Sequence, residues 1–86
     1  MQPIELTNDE IEIFGKPNFA CAHYARILIA AGVYKAAGNK AEYEQAVFMH
    51  WASELLKVHG KNWRDVGKKQ LRKYLSSIND DIKNIR

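Results

Sequence analysis

Residues 18–31, NFACAHYARILIAA, decide the fold. Phe19, Ala20, Cys21, Ala22, Tyr24, Ala25, Ile27, Leu28, Ile29, Ala30 and Ala31 leave only His23 and Arg26 as strongly polar positions. A helix that is apolar nearly all round belongs in the buried centre of a bundle. Its alanines let neighbouring helices come close. His23 and Arg26 are three apart and share a face, which is the segment's natural outlet to water.

Toward the amino terminus, Thr7 followed by Glu10 is a capping box, and Asp9 and Glu10 sit where a helix dipole favours negative charge. A short first helix is expected there, with Ile11 and Phe14 facing inward. Gly15 ends it and Pro17 prevents direct continuation. Toward the carboxyl terminus, residues 32–40 read as a connection that carries Tyr34 between two glycines and a Gly38-Asn39 turn.

A third helix is expected over 41–59. Tyr43, Val47, Trp51, Leu55 and Val58 form its apolar stripe, Phe48, Ala52 and Leu56 broaden it, and Gly60 is its carboxyl cap. A fourth starts near Asn62, a good amino cap. Its apolar face runs through Trp63, Val66, Leu71, Tyr74, Leu75, Ile78, Ile82 and Ile85, a heptad-like seam. Gly67 costs this helix about 1 kcal/mol relative to alanine, so it marks either a close helix contact or a later start. The last turns, isoleucines among polar residues with no stop signal, either fray or dock on a second chain. The second case is a homodimer through the C-terminal helix.

Only Ile4 to Ile13 hints at alternation of period two, and the capping box argues against a strand. The expectation is therefore an all-α fold: a compact bundle of three main helices plus a short N-terminal helix, one domain over residues 1–86. The size agrees, since 86 residues make one domain. With 47% hydrophobic and 27% charged residues, the chain is neither a disordered tail nor a membrane protein, for no apolar run approaches the roughly 18 residues a spanning helix needs. The opening MQPIELTNDE has no early positive charge and no apolar core, unlike a secretory signal. A lone cysteine, Cys21, cannot pair within the chain. Together these point to a cytoplasmic setting.

The net charge of +3 conceals a gradient: −4 over residues 1–15, +1 over 16–56 and +6 over 57–86. A basic last third suits an acidic partner. The plainer reading is that the acidic first helix folds back on the basic last one.

Chemistry is sparsely encoded. Cys21-x-His23 puts two ligand types on different faces of a helix. His50 and Glu54 share a face but lack the further ligands that zinc needs, so no metal and no cofactor are expected, and His50 reads as a hydrogen-bonded core histidine. Cys21, in an alanine-rich helix, is expected to be buried and inert. Ser53, Ser76 and Ser77 have no glycine elbow, and the paired carboxylates Asp80-Asp81 and Glu42/Glu44 lie at exposed positions. No catalytic residue is assigned, and the chain is read as non-enzymatic.

Two binding readings remain. Lys61, Arg64, Lys68 and Arg72 are spaced 3, 4 and 4, one helical stripe, with Lys69 and Lys73 in a second row. Phosphate backbones reward such a stripe through counterion release. Only Gln70 among these lysines could read a base usefully, and a solvated helix face would look the same. Protein binding needs no motif, only exposed aromatic, methionine or arginine anchors. His23, Arg26 and Tyr34 are the assigned partner-binding residues, with Phe19 and Met49 as further candidates, although each alone is more often core than interface.

FACAHYARILIAAG, then EYEQAVFMHW, then ELLKVHGKNWRDV resembles small proteins encoded in phages and prophages. The elements are Phe19-Ala20, Ala31-Gly32, Glu42 through Ala46, His50-Trp51, and His59-Gly60 with Trp63, over residues 19–66. The resemblance implies a mobile-element origin and action on host or phage machinery, and carries no catalytic residue with it. Accessory proteins of this size work stoichiometrically, binding a host enzyme, a defence complex or a nucleic acid. An anti-CRISPR-like inhibitor is one form of this. Being basic rather than a DNA mimic, such an inhibitor would occupy an acidic protein surface or compete at a nucleic-acid groove. The expectation is a protein-binding modulator of a host or defence complex, with a small nucleic-acid-binding protein as the alternative.

Overall fold

The structure is a computed structural model that describes residues 3–37 and 41–84. Four helices follow one another: α1 (Asn8–Phe14), α2 (Asn18–Ala30), α3 (Ala41–His59) and α4 (Trp63–Asn84), with a tight 3-10 turn at Gly60–Asn62 before α4. No strand forms among the described residues. The fold is the expected all-α bundle of three main helices and a short first one. The Gly38-Asn39 turn, Ile85, and the side chains of Asp80, Asp81 and Ile82 lie outside the described residues.

Local chemistry sets the helix ends. The Thr7 hydroxyl accepts from the Glu10 amide at 3.1 Å, and the Glu10 carboxylate accepts from the Thr7 amide at 2.9 Å, closing the capping box. Gly60 has φ of +57°, the left-handed conformation that glycine adopts without steric cost, and the chain reverses there into α4.

α3, not α2, is the central element: it packs against α1, α2 and α4. Val47, Phe48, Trp51, Ala52 and Leu55 of α3 meet Cys21, Ala25 and Leu28 of α2, Ile13 of α1 and Trp63 of α4 in one core. Full burial of side chains such as Phe48 and Leu28 contributes about 1.5–3 kcal/mol each. The apolar run of α2 does not make it central, because Phe19, His23, Arg26 and Ala30 recur at spacings of 4, 3 and 4 and leave one exposed stripe.

The first helix is rotated from its expected setting. Ile13 is buried, while Ile11 and Phe14, expected to face inward, are exposed. Polar contacts set this rotation. Trp63 donates its indole N–H to Asp9 at 3.2 Å, and Arg64 binds both Asp9 and Glu12. Asp9, Glu12 and Ile13 lie on one side of the helix, so anchoring the carboxylates turns Ile13 in and Ile11 and Phe14 out. Val58, expected on the α3 stripe, is also exposed, since it lies in the last turn before the chain reverses.

Gly67 marks a close helix contact. A Cβ there would lie 3.1 Å from Cη2 of Trp51 and 3.2 Å from Cδ1 of Leu55, so the glycine lets α4 settle on α3. Beside it, the Trp51 indole donates to Oε1 of Gln70 at 3.0 Å. Beyond this point the seam is mixed: Leu71, Tyr74 and Ile78 are half-buried and Leu75 is exposed.

Candidate functional site

The outlet to water on α2 is where the sequence placed it. His23 and Arg26 are both exposed, on the same stripe as Phe19. Phe19 is 81% exposed, unusual for a large aromatic ring. Arg26 reaches across to α3, where its Nε donates to Oε2 of Glu44 at 3.0 Å; the arginine side chain stays 74% exposed. This orients the guanidinium without covering it. An exposed pair of this kind adds little stability. The stripe thus presents an aromatic ring, an imidazole and an oriented guanidinium.

Tyr34 lies differently. It is half-buried against α3, and its Oη shares a hydrogen bond of 2.7 Å with Nδ1 of His50. Burial, then the neighbouring Glu54, pushes its phenol pKa up. The same contact corrects the reading of His50, which is hydrogen-bonded as expected but exposed rather than in the core.

The basic stripe divides. Arg64 is engaged by Glu12 and Asp9, and its hydrogen bonds hold the Glu12 carboxyl below its ordinary range. Here the acidic first helix does fold back on the basic last one. Lys61, Lys68, Lys69, Arg72 and Lys73 are exposed and form no ion pair among the described residues. Gln70, the one residue placed to read a base, is instead half-buried with its carbonyl held by Trp51.

A feature the sequence did not disclose lies between the helices. A cleft of about 120 Å³ opens where Tyr24, Phe48, Trp51 and Trp63 converge, with Lys16, Arg64, Lys68 and Glu12 as its charged lining. Lys16 Nζ sits 5.6 Å from the centre of the Tyr24 ring and 5.5 Å from that of Phe48, and the Arg64 guanidinium lies 5.0 Å from the centre of the Trp63 ring. These are cation–π distances. Four separate segments build the cleft, so no local motif signals it.

Cys21 is buried, with its thiol pKa raised by that burial. Among the described residues no group of three or more His, Cys, Asp or Glu is placed to hold a metal ion, and no helix is long and apolar enough to cross a membrane. Comparison with protein-family models, curated proteins and solved structures finds no match for this chain.

Proposed function

We propose that this protein is a non-enzymatic binding protein that docks on a protein partner through the α2 stripe Phe19, His23 and Arg26. The single observation that carries the reading is Phe19, an aromatic ring 81% exposed and flanked on its own helix face by His23 and Arg26. Aromatic rings and arginines are the side chains that dominate interface energetics when a partner desolvates them. Ile4, Leu6, Ile11 and Phe14 add exposed apolar surface from the N-terminal limb. The resemblance to phage and prophage proteins supports a host or defence complex as the partner, with anti-CRISPR-like inhibition as one outcome. Tyr34 has a supporting place, its ring half-buried and its hydroxyl held by His50.

A second reading has its own observation. The five exposed cations of α4 and the preceding turn that form no ion pair among the described residues, Lys61, Lys68, Lys69, Arg72 and Lys73, suit a phosphate backbone. The occupation of Arg64 and Gln70 weakens it relative to the first.

A tagged pull-down from host lysate, with and without nuclease, tests the choice. One protein retained at stoichiometric level after nuclease supports docking. Nucleic acid recovered with every protein lost on nuclease treatment overturns it. Salt gives a second discriminant, since a phosphate binder loses affinity steeply between about 50 and 200 mM.

A further inference from the structure

We infer that the cleft between the helices is a peptide subsite, taking one leucine-sized aliphatic side chain from a partner segment that carries Asp or Glu on either side of it. The inference rests on the protein-docking reading and specifies the partner's chemistry at a second surface, separate from the Phe19 stripe.

Size, charge and the state of the aromatic faces converge on this occupant. At about 120 Å³, the cleft is somewhat smaller than the roughly 150 Å³ apolar cavity that takes up benzene. It has room for one aliphatic side chain. Its depth depends on Gly67, because a side chain at that position would push into Trp51. Of the three cations at the rim, Arg64 is already met by Glu12 and Asp9, whereas Lys16 and Lys68 form no ion pair among the described residues. Glu12 also lines the cleft, bound to Arg64 and near Lys16, so the lining sets three cations against one carboxylate. That excess of positive charge beside an apolar floor selects carboxylates flanking an apolar anchor.

The rings are not set up to stack bases. Single-stranded nucleic acid uses aromatic faces open to solvent. Here Lys16 covers the faces of Tyr24 and Phe48, Arg64 covers Trp63, and Trp51 is nearly buried. An acidic peptide can exploit Lys16 and Lys68 where they lie, whereas a base would have to displace Lys16 or Arg64 to reach a ring face.

Both tryptophans of the chain line the cleft, so their two indole N–H signals in a proton–nitrogen NMR spectrum report on it directly. The purified protein is titrated with the blocked peptide acetyl-Asp-Glu-Leu-Glu-Asp-amide. Both indole signals should move saturably, and replacing the peptide's leucine by alanine should reduce the movement. The variant Lys16→Met/Lys68→Met keeps the side-chain stems and removes the charges, and should weaken binding by about tenfold. Its unliganded spectrum shows whether it remains folded, and each lysine is also changed singly. Indole signals that do not respond to the peptide overturn the proposal. So does binding undiminished in the folded lysine variants, or a response to oligothymidylate in place of the peptide. Partner capture that survives a failed titration leaves the Phe19 docking reading standing. A successful titration with no protein partner leaves the cleft standing without it.

Discussion

Arg64 fastens the first helix to the last by gripping Glu12 with two nitrogens: Nε lies 2.9 Å from Oε2 and Nη2 lies 2.7 Å from Oε1. The same Nη2 reaches Oδ1 of Asp9 at 2.7 Å. One residue of the basic stripe is thereby committed to holding α1, and that anchorage sets which side of α1 faces the core.

This grip makes the anchorage of α1 sensitive to acid. Hydrogen bonding to Arg64 lowers the Glu12 pKa in the folded state. A depressed carboxylate contributes stability that is fully present above its unfolded pKa and is lost as pH falls through the lower, folded one. The contact should therefore weaken below the ordinary glutamate range, about pH 4. The Trp63 indole N–H, bonded to Asp9, should report release of α1 in an acid titration by NMR. In Arg64→Met that indole should already show the released state at neutral pH. An indole signal unaffected by this substitution would contradict the anchorage.

Gly67→Ala should destabilise the protein, although alanine is the better helix former. An exposed helical glycine changed to alanine gains about 1 kcal/mol. Here the new methyl would meet Cη2 of Trp51 at 3.1 Å, and that ring is buried and tethered to Gln70. Overpacking of this kind costs about 1–3 kcal/mol and outweighs the gain. The urea midpoint should fall, and a midpoint that rises would show that the α3–α4 contact is loose.

Gln70→Ala should cost about 1–3 kcal/mol, the penalty for leaving a buried donor unmade. Trp51 donates to Gln70 from a nearly buried ring. Equilibrium unfolding measures the loss. If Gln70 instead served nucleic-acid reading alone, stability would be unchanged.

Cys21 should resist thiol reagents in the native state. It is fully buried, its Sγ donates to the Lys16 carbonyl at 3.6 Å, and burial raises its pKa. Reaction with Ellman's reagent should be slow in buffer and accelerate with urea in step with unfolding. Rapid labelling in buffer would show that α2 opens locally.

Residues that act within one turn of chain were legible in the sequence. The Thr7–Glu10 capping box and the left-handed Gly60 need only near neighbours, and both stand as read. The setting of α1 was not legible, because Arg64 lies 52 residues from Glu12 and chose Ile13 over Ile11 and Phe14. Gln70 looked free beside its lysines until α4 met Trp51 on another helix. For the site, the spacing of His23 and Arg26 gave the wet face of α2. Phe19 was read both in the apolar run and as a further binding candidate, and its position four residues before His23 puts it on that same face. The cleft needed the packed bundle, since its floor and rim come from separate segments.

The central claim is that the Phe19 stripe docks on a protein. Its most direct test compares nuclease-treated pull-downs by wild type, Phe19→Glu/His23→Glu, and Lys69→Glu/Arg72→Glu/Lys73→Glu, each checked for folding by circular dichroism. The account predicts that a stoichiometric protein is lost with the Phe19/His23 variant and retained with the charge-reversed α4 variant. Retention by the first and loss by the second would contradict it and transfer function to α4.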